Sequence, residues 1–151
     1  MLRKSASLVI LFLACLFLAA PAGAAAPVNE IMAGNRAAEK GDLDRAIKHF
    51  TAAIESGKLS KENQAIAYNN RGSALDDKRQ VDKAIADYSK AIAINPRYDA
   101  AYYNRSYAYE RKGKLAEALQ DMERAVQLEP DDGDFQQRLT YLKSKLAGTA
   151  N

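Results

Sequence analysis

Along most of the chain, apolar and small residues return three and four positions apart instead of alternating, which is the spacing of helices that bury one face. Tyr102, Arg105, Ser106 and Tyr109 share one face of a predicted helix, and Leu115, Ala118, Leu119, Met122, Ala125 and Val126 share one face of the next. Pro130 ends that second helix, because proline has no amide donor and its ring clashes with the turn before it. Pro96 ends an earlier helix likewise. Ala84 with Tyr88 and Ala118 with Met122 each set a small residue one turn from a large one, as expected where two antiparallel helices cross closely.

These helix pairs repeat. A shift of 34 residues lays Tyr68, Arg71, Ala74, Val81, Ala84, Asp87, Ala91, Ile94 and Pro96 onto Tyr102, Arg105, Ala108, Leu115, Ala118, Asp121, Ala125, Leu128 and Pro130. A shift of 38 lays Gly34, Gly41, Leu43, Ala46, Ile47, Phe50, Ala53 and Ile54 onto Gly72, Arg79, Val81, Ala84, Ile85, Tyr88, Ala91 and Ile92. The excess of the second shift over the first falls in the segment Gly57, Lys58, Leu59, Ser60, which holds a helix breaker and, in Ser60, an N-cap. Units of this length and pattern bury a core only against their neighbours, so the chain is expected to form a stacked array. After Pro130, the carboxylates of Asp131, Asp132 and Asp134 offer caps for a last helix with Phe135, Leu139, Leu142 and Leu146 on one side, suited to covering the end of the stack.

The sequence of large, small, aromatic and alanine positions closed by proline resembles the tetratricopeptide repeat, closely from Ala65 to Pro96 and from Asp99 to Pro130, with a third match upstream. The resemblance implies an all-α, right-handed superhelical solenoid of antiparallel helix pairs, with about seven helices after the leader. It divides the chain into a leader at 1–24, a first unit with its following loop at 25–60, units at 61–96 and 97–130, a capping helix at 131–147 and a disordered tail at 148–151. Some residues depart from the pattern. Glu30 and Ala37 stand where large core residues are usual, so the N-terminal helix is expected to be the loosest. Ser106 replaces the small glycine, and Arg79 replaces the turn glycine present as Gly41 and Gly113.

In this family the first helix of each unit lines the concave surface. Carried over here, that implies a non-enzymatic protein-binding module or adaptor whose groove shows Ile31, Met32, Asn35 and Glu39, then Asn69, Asn70, Ser73 and Asp77, then Tyr103, Asn104, Tyr107 and Arg111. Asn70 and Asn104, one period apart, are expected in register, and an amide carries both donor and acceptor for the backbone of an extended peptide. Tyr103 and Tyr107, four apart, share a helical face and add a flat apolar surface with a polar tip. The plainer alternative is that the asparagines only bond neighbouring helices and the tyrosines only pack between repeats. Asn35 and Asn70 fall where the co-chaperone repeats that clamp acidic chaperone tails use asparagine. The cationic places of that clamp hold Ile31, Ala100 and Asn104, which does not support charge-assisted capture of a terminal carboxylate. The alternative function is a structural, self-associating unit of an envelope assembly.

The start of the chain sets the compartment. Arg3 and Lys4 precede an apolar run from Leu8 to Ala20, then Pro21 and the small residues Ala22, Gly23 and Ala24, the three parts of a secretory signal. The mature protein is expected to begin at Ala25 and to be periplasmic or secreted, without stable membrane insertion. The alternatives are an uncleaved anchor or lipidation at Cys15, although Phe12 and Leu13 make a poor lipidation signal and the apolar run continues past the cysteine. Loss of the leader removes Cys15, the one cysteine, so no disulfide supports the fold.

Composition narrows the chemistry further. The full chain carries a formal charge of +3, two of its cations leave with the leader, and the remaining basic residues are interspersed with acidic ones, so no nucleic-acid surface is expected. His49, the one histidine, has no neighbouring ligand set. Asp76 and Asp77 are consecutive, so their side chains diverge by about 100° instead of forming a facing carboxylate pair, and they read as a polar helix end. The Asp131 to Asp134 cluster lacks calcium-loop spacing. No cofactor, metal site or catalytic residue is expected; the partner is a protein or peptide, with self-association as the alternative.

Overall fold

The computed structural model describes residues 22–149, with side chains for 27–148. Its seven helices are α1 (Ala22–Glu39), α2 (Leu43–Glu55), α3 (Lys61–Asp77), α4 (Val81–Ile94), α5 (Asp99–Arg111), α6 (Leu115–Leu128) and α7 (Gly133–Thr149), with no strand among the described residues. Each helix packs on the one before and after it in sequence. The first helices of the pairs also touch each other, α1 with α3 and α3 with α5, which puts them on the inner side of the curve. The result is the expected solenoid of antiparallel helix pairs closed by α7.

The turns inside the pairs are built alike. Gly41 and Gly113 take the left-handed conformation (φ +75° and +73°), and Arg79 takes it too at φ +62°. In each turn the following N–H reaches back to a carbonyl of the first helix: Asp42 to Ala37, Gln80 to Leu75 and Lys114 to Tyr109, all at 2.9 Å. The repeat geometry thus imposes the same backbone on Arg79 that glycine adopts without strain. Between the first two pairs, Gly57 (φ +65°) breaks α2 and Ser60 caps α3 by accepting from the Asn63 N–H at 3.2 Å. Asp132 caps α7 by accepting from the Phe135 N–H at 3.0 Å.

Inside each pair a small residue meets a large one. Gly34 faces the ring of Phe50, Gly72 faces the ring of Tyr88, and Ser106 faces Met122 with its hydroxyl 3.8 Å from the sulfur. Ala46, Ala84 and Ala118 are fully buried at the helix crossings. Phe135 and Leu142 of α7 join Ala118, Met122 and Ala125 in the last core cluster, so α7 does cover the final pair.

Two ionic staples hold successive pairs together. The Arg71 guanidinium of α3 donates to both oxygens of Asp87 on α4 (2.6 and 2.9 Å) and to the Thr51 hydroxyl on α2 (3.0 Å). Arg105 of α5 repeats this with Asp121 on α6 (2.7 and 2.7 Å) and Ser89 on α4 (2.8 Å). The Asp87 hydrogen bonds raise the Arg71 guanidinium's basicity; burial opposes this for Arg105, and Asp121 outweighs it. Lys78 with Asp44, and Lys112 with Asp82, tie the end of each later first helix to the start of the preceding second helix.

The structure corrects some expectations. Ile31 is buried in the core cluster around Phe50 and Ala67 instead of lining the groove. Glu30 turns to His49, whose Nδ1 lies 2.7 Å from its Oε2, so a polar pair replaces the core residue usual at that place. Asp76 is buried instead of forming part of an exposed polar end, while Asp77 beside it is exposed. α7 continues through Thr149, so residues 148 and 149 are helical where a tail was expected, Gly148 notwithstanding. Residues 1–21 of the expected leader, Cys15 among them, lie outside the described residues; 22–24 form the start of α1.

Candidate binding groove

The inner surface is built from α1, α3 and α5, and its floor is a chain of amides. Asn104 donates to Asn69 at 3.0 Å, Asn69 to Asn70 at 3.2 Å, and Asn70 to Asn35 at 2.9 Å. The expected pairing of Asn70 with Asn104 is therefore indirect. Asn69 and Asn104 are 35 apart, one more than the 34-residue shift between their units, so Asn69 is the residue that stands beside Asn104; Asn35 and Asn70 are also 35 apart, three fewer than the 38-residue shift between theirs. Asn69 is buried and Asn35, Asn70 and Asn104 are half-buried. An amide has two donor hydrogens and an acceptor oxygen, so each half-buried member keeps bonding capacity beyond the ladder. These residues, with Ser73, Glu39, Asp77 and a strip of Phe50, line a cavity of about 280 Å³.

Toward the open end of α5, Arg111 pairs with the neighbouring helix. Its guanidinium lies 3.1 Å from Asp76 Oδ1 and donates to the Asp76 main-chain carbonyl at 3.3 Å. Burial pushes the Asp76 carboxyl up, and Arg111 pulls it back.

Tyr103 and Tyr107 meet edge to face with ring centroids 5.0 Å apart and hydroxyls 3.2 Å apart. Their hydrogen bond, then burial, pushes the Tyr103 phenol up to about 12. Both also pack on the capping helix. Tyr103 stacks on Phe135 at 4.9 Å, and the Arg138 guanidinium sits 3.7 Å above the Tyr107 ring and 5.1 Å from the Tyr141 ring. With Asp134 and Gln137 they line a second cavity of about 360 Å³, so α7 forms a wall of the groove as well as a cap.

Glu110 fixes that wall. It accepts from Arg138, from the Tyr141 hydroxyl at 2.9 Å and from the Lys145 ammonium at 2.6 Å. Burial disfavours its charged form, but the hydrogen bonds from Lys145, Arg138 and Tyr141 outweigh it and hold the carboxyl at about 2.

The groove thus brings together Asn35, Asn69, Asn70, Ser73 and Asn104, and sets Tyr103 and Tyr107 under α7 with Arg111 bound to Asp76. The residues that sequence reasoning missed are Glu110, Asp134, Arg138 and Tyr141. Arg138 and Glu110 carry no mark in the repeat pattern, because their meeting depends on how α7 docks. Among the described residues, no three of His, Cys, Asp or Glu converge as a metal-ligand group, and no helix is long and apolar enough to cross a membrane.

Comparison with known proteins agrees with this architecture. The tetratricopeptide repeat profile matches residues 65–98 and again 99–132. Among solved structures, the chain resembles the first tetratricopeptide domain of Spaghetti (RPAP3) bound to the HSP90 peptide SRMEEVD, at 27% identity and a TM-score of 0.75 over 82% of this chain and 95% of that one. It resembles the first such domain of human RPAP3 at 28% identity and 0.75, over 83% and 96%. The Arabidopsis OM64 domain matches at 25% identity and 0.75, over 82% and 98%. With two matched repeats, a third helix pair built on the same small-to-large crossing and a solenoid superposable on these domains, the chain belongs to the tetratricopeptide-repeat proteins.

Proposed function

We propose that this chain is a non-enzymatic adaptor of the bacterial cell envelope, exported through its N-terminal leader, that holds a protein or peptide segment in the groove of α1, α3, α5 and α7. The amide ladder carries the reading. Four asparagines placed on the first helices of three successive pairs supply donors and acceptors along one surface, the chemistry an extended backbone needs. The similar Spaghetti domain holds a peptide, which supports the same use of the fold here.

Export has a physical support in Pro27. In a helix that begins at Ala22 this proline sits past the first turn, where it removes a backbone hydrogen bond; in one that begins near Ala25 it sits in the first turn, where its missing donor costs nothing. Cleavage there gives α1 a start suited to its sequence.

Photo-crosslinking tests the binding surface. A photoreactive residue at Asp77, in the groove, should capture a partner that the same residue at the exposed, outer Lys90 does not, and Asn70→Ala with Asn104→Ala should abolish the capture. Equal capture from Lys90 would move the interface to the outer face. Sedimentation over a concentration range addresses the self-associating alternative, which the exposed Met32 and Ile66 favour.

A further inference from the structure

We propose that the segment held in the groove is an extended peptide bearing lysine or arginine side chains, which rests on the groove being the binding surface. Unpaired carboxylates stand on its walls. Glu39 and Asp77 line the cavity between α1 and α3, and Asp134 lines the one between α5 and α7. All three carboxylates are exposed, and none forms an ion pair among the described residues. Arg111 pairs with Asp76, and Arg138 and Lys145 share the one carboxylate of Glu110, so their charges balance with Asp134 at the α5–α7 end, whereas no cation lines the α1–α3 cavity beside Glu39 and Asp77. The α1–α3 end of the groove is therefore anionic on a chain whose formal charge is +3.

An acidic segment entering the α1–α3 cavity would meet Glu39 and Asp77 with no cation in the lining to bind it, whereas a basic side chain gains their attraction as it enters. The face already accommodates one cation. The Arg138 guanidinium lies over the rings of Tyr107 and Tyr141 and pairs with the Glu110 carboxylate, so aromatic rings and carboxylate here suit a planar cation. The amide ladder, being neutral, grips backbone whatever the side chains and leaves selection to the carboxylates. This sets the groove apart from that of the similar Spaghetti domain, whose bound peptide SRMEEVD carries adjacent glutamates and a terminal aspartate.

Selection of a random heptapeptide display library on the protein as cells process it tests the inference. Enriched peptides should carry an excess of lysine and arginine over the starting library. Glu39→Gln with Asp77→Asn should weaken the best of them roughly fivefold at low salt and less at high salt. Both carboxylates are exposed and unpaired, so the double variant should melt as the parent does. Neutral or acidic enriched peptides whose binding is lost in Asn70→Ala with Asn104→Ala would overturn the charge preference and leave the groove standing. Enriched peptides that ignore all of these variants, or an absence of enrichment, would overturn both.

Discussion

The ring of Tyr88 occupies the space that a side chain at Gly72 would need: a β-carbon built there lies 2.8 Å from Tyr88 Cε1. Gly34 stands closer still to Phe50, at 2.6 Å. In the third pair the aromatic gives way to Met122, and the first-helix position is then free to be Ser106, which donates to the Tyr103 carbonyl at 2.7 Å. A rigid ring demands glycine, and a flexible thioether tolerates a larger neighbour.

Gly72→Ala should therefore cost about 1 to 3 kcal/mol, because the Tyr88 ring is pinned and the backbone oxygen of Ala84 closes the other side at 3.3 Å. Ser106→Ala keeps its β-carbon and should cost less than half as much. Urea denaturation of the two variants checks the contrast, and equal midpoints would contradict it. Ala118→Leu, at a fully buried crossing, should likewise lose about 1 to 3 kcal/mol.

Arg79 carries the left-handed backbone that glycine supplies in the other two turns. Replacing it relieves strain of about 1 to 2 kcal/mol, partly offset by the greater freedom of glycine in the unfolded chain. Arg79→Gly should raise stability by roughly 0.5 to 1 kcal/mol, read as a higher urea midpoint.

The staples bury charge between the helices. Asp121 is buried and satisfies two guanidinium donors, so Asp121→Ala leaves Arg105 charged, half-buried and bonded only to Ser89. The expected loss is about 3 kcal/mol by equilibrium unfolding. A surface ion pair would lose under about 1 kcal/mol, and that result would demote the staple.

Docking of α7 should depend on acid. The folded-state value of Glu110, about 2, lies below the ordinary 4.5, so its contribution is complete above roughly pH 4.5 and is lost as the pH falls toward 2. Glu110→Gln should remove about 1 to 3 kcal/mol at neutral pH and flatten that acid limb. Hydrogen exchange along α7 checks it: faster exchange in the variant at pH 7 and little further change at pH 3.

The helices, their pairing and their turns were legible in the sequence because each rests on local backbone demands. Ser60 and Asp132 cap because their oxygens reach an N–H three residues on, whatever the tertiary fold. The groove was legible only in part. Its amides were found by the period, but the partner of Asn104 proved to be Asn69, one position from the residue the 34-residue shift selects, because facing helices need not meet at equivalent positions. The covering of Tyr103 and Tyr107 by Phe135 and Arg138 depends on where a non-repeating helix lands, which no spacing encodes. The staples lay between these cases. Arg71, Arg105, Asp87 and Asp121 recur at the period, yet only the folded chain shows that each arginine also binds a hydroxyl of the preceding unit.

That third bond gives the staples a second consequence. Thr51 and Asp87 stand on α2 and α4, and Ser89 and Asp121 on α4 and α6, so each guanidinium acts as a spacer that gauges the distance between neighbouring outer helices. In a curved stack the spacing of the outer row sets how tightly the inner row closes. The width of the inner groove is thus set from behind by two hydroxyls, and exchanging Thr51 or Ser89 for a larger or smaller residue would regrade that width without altering the groove's own lining.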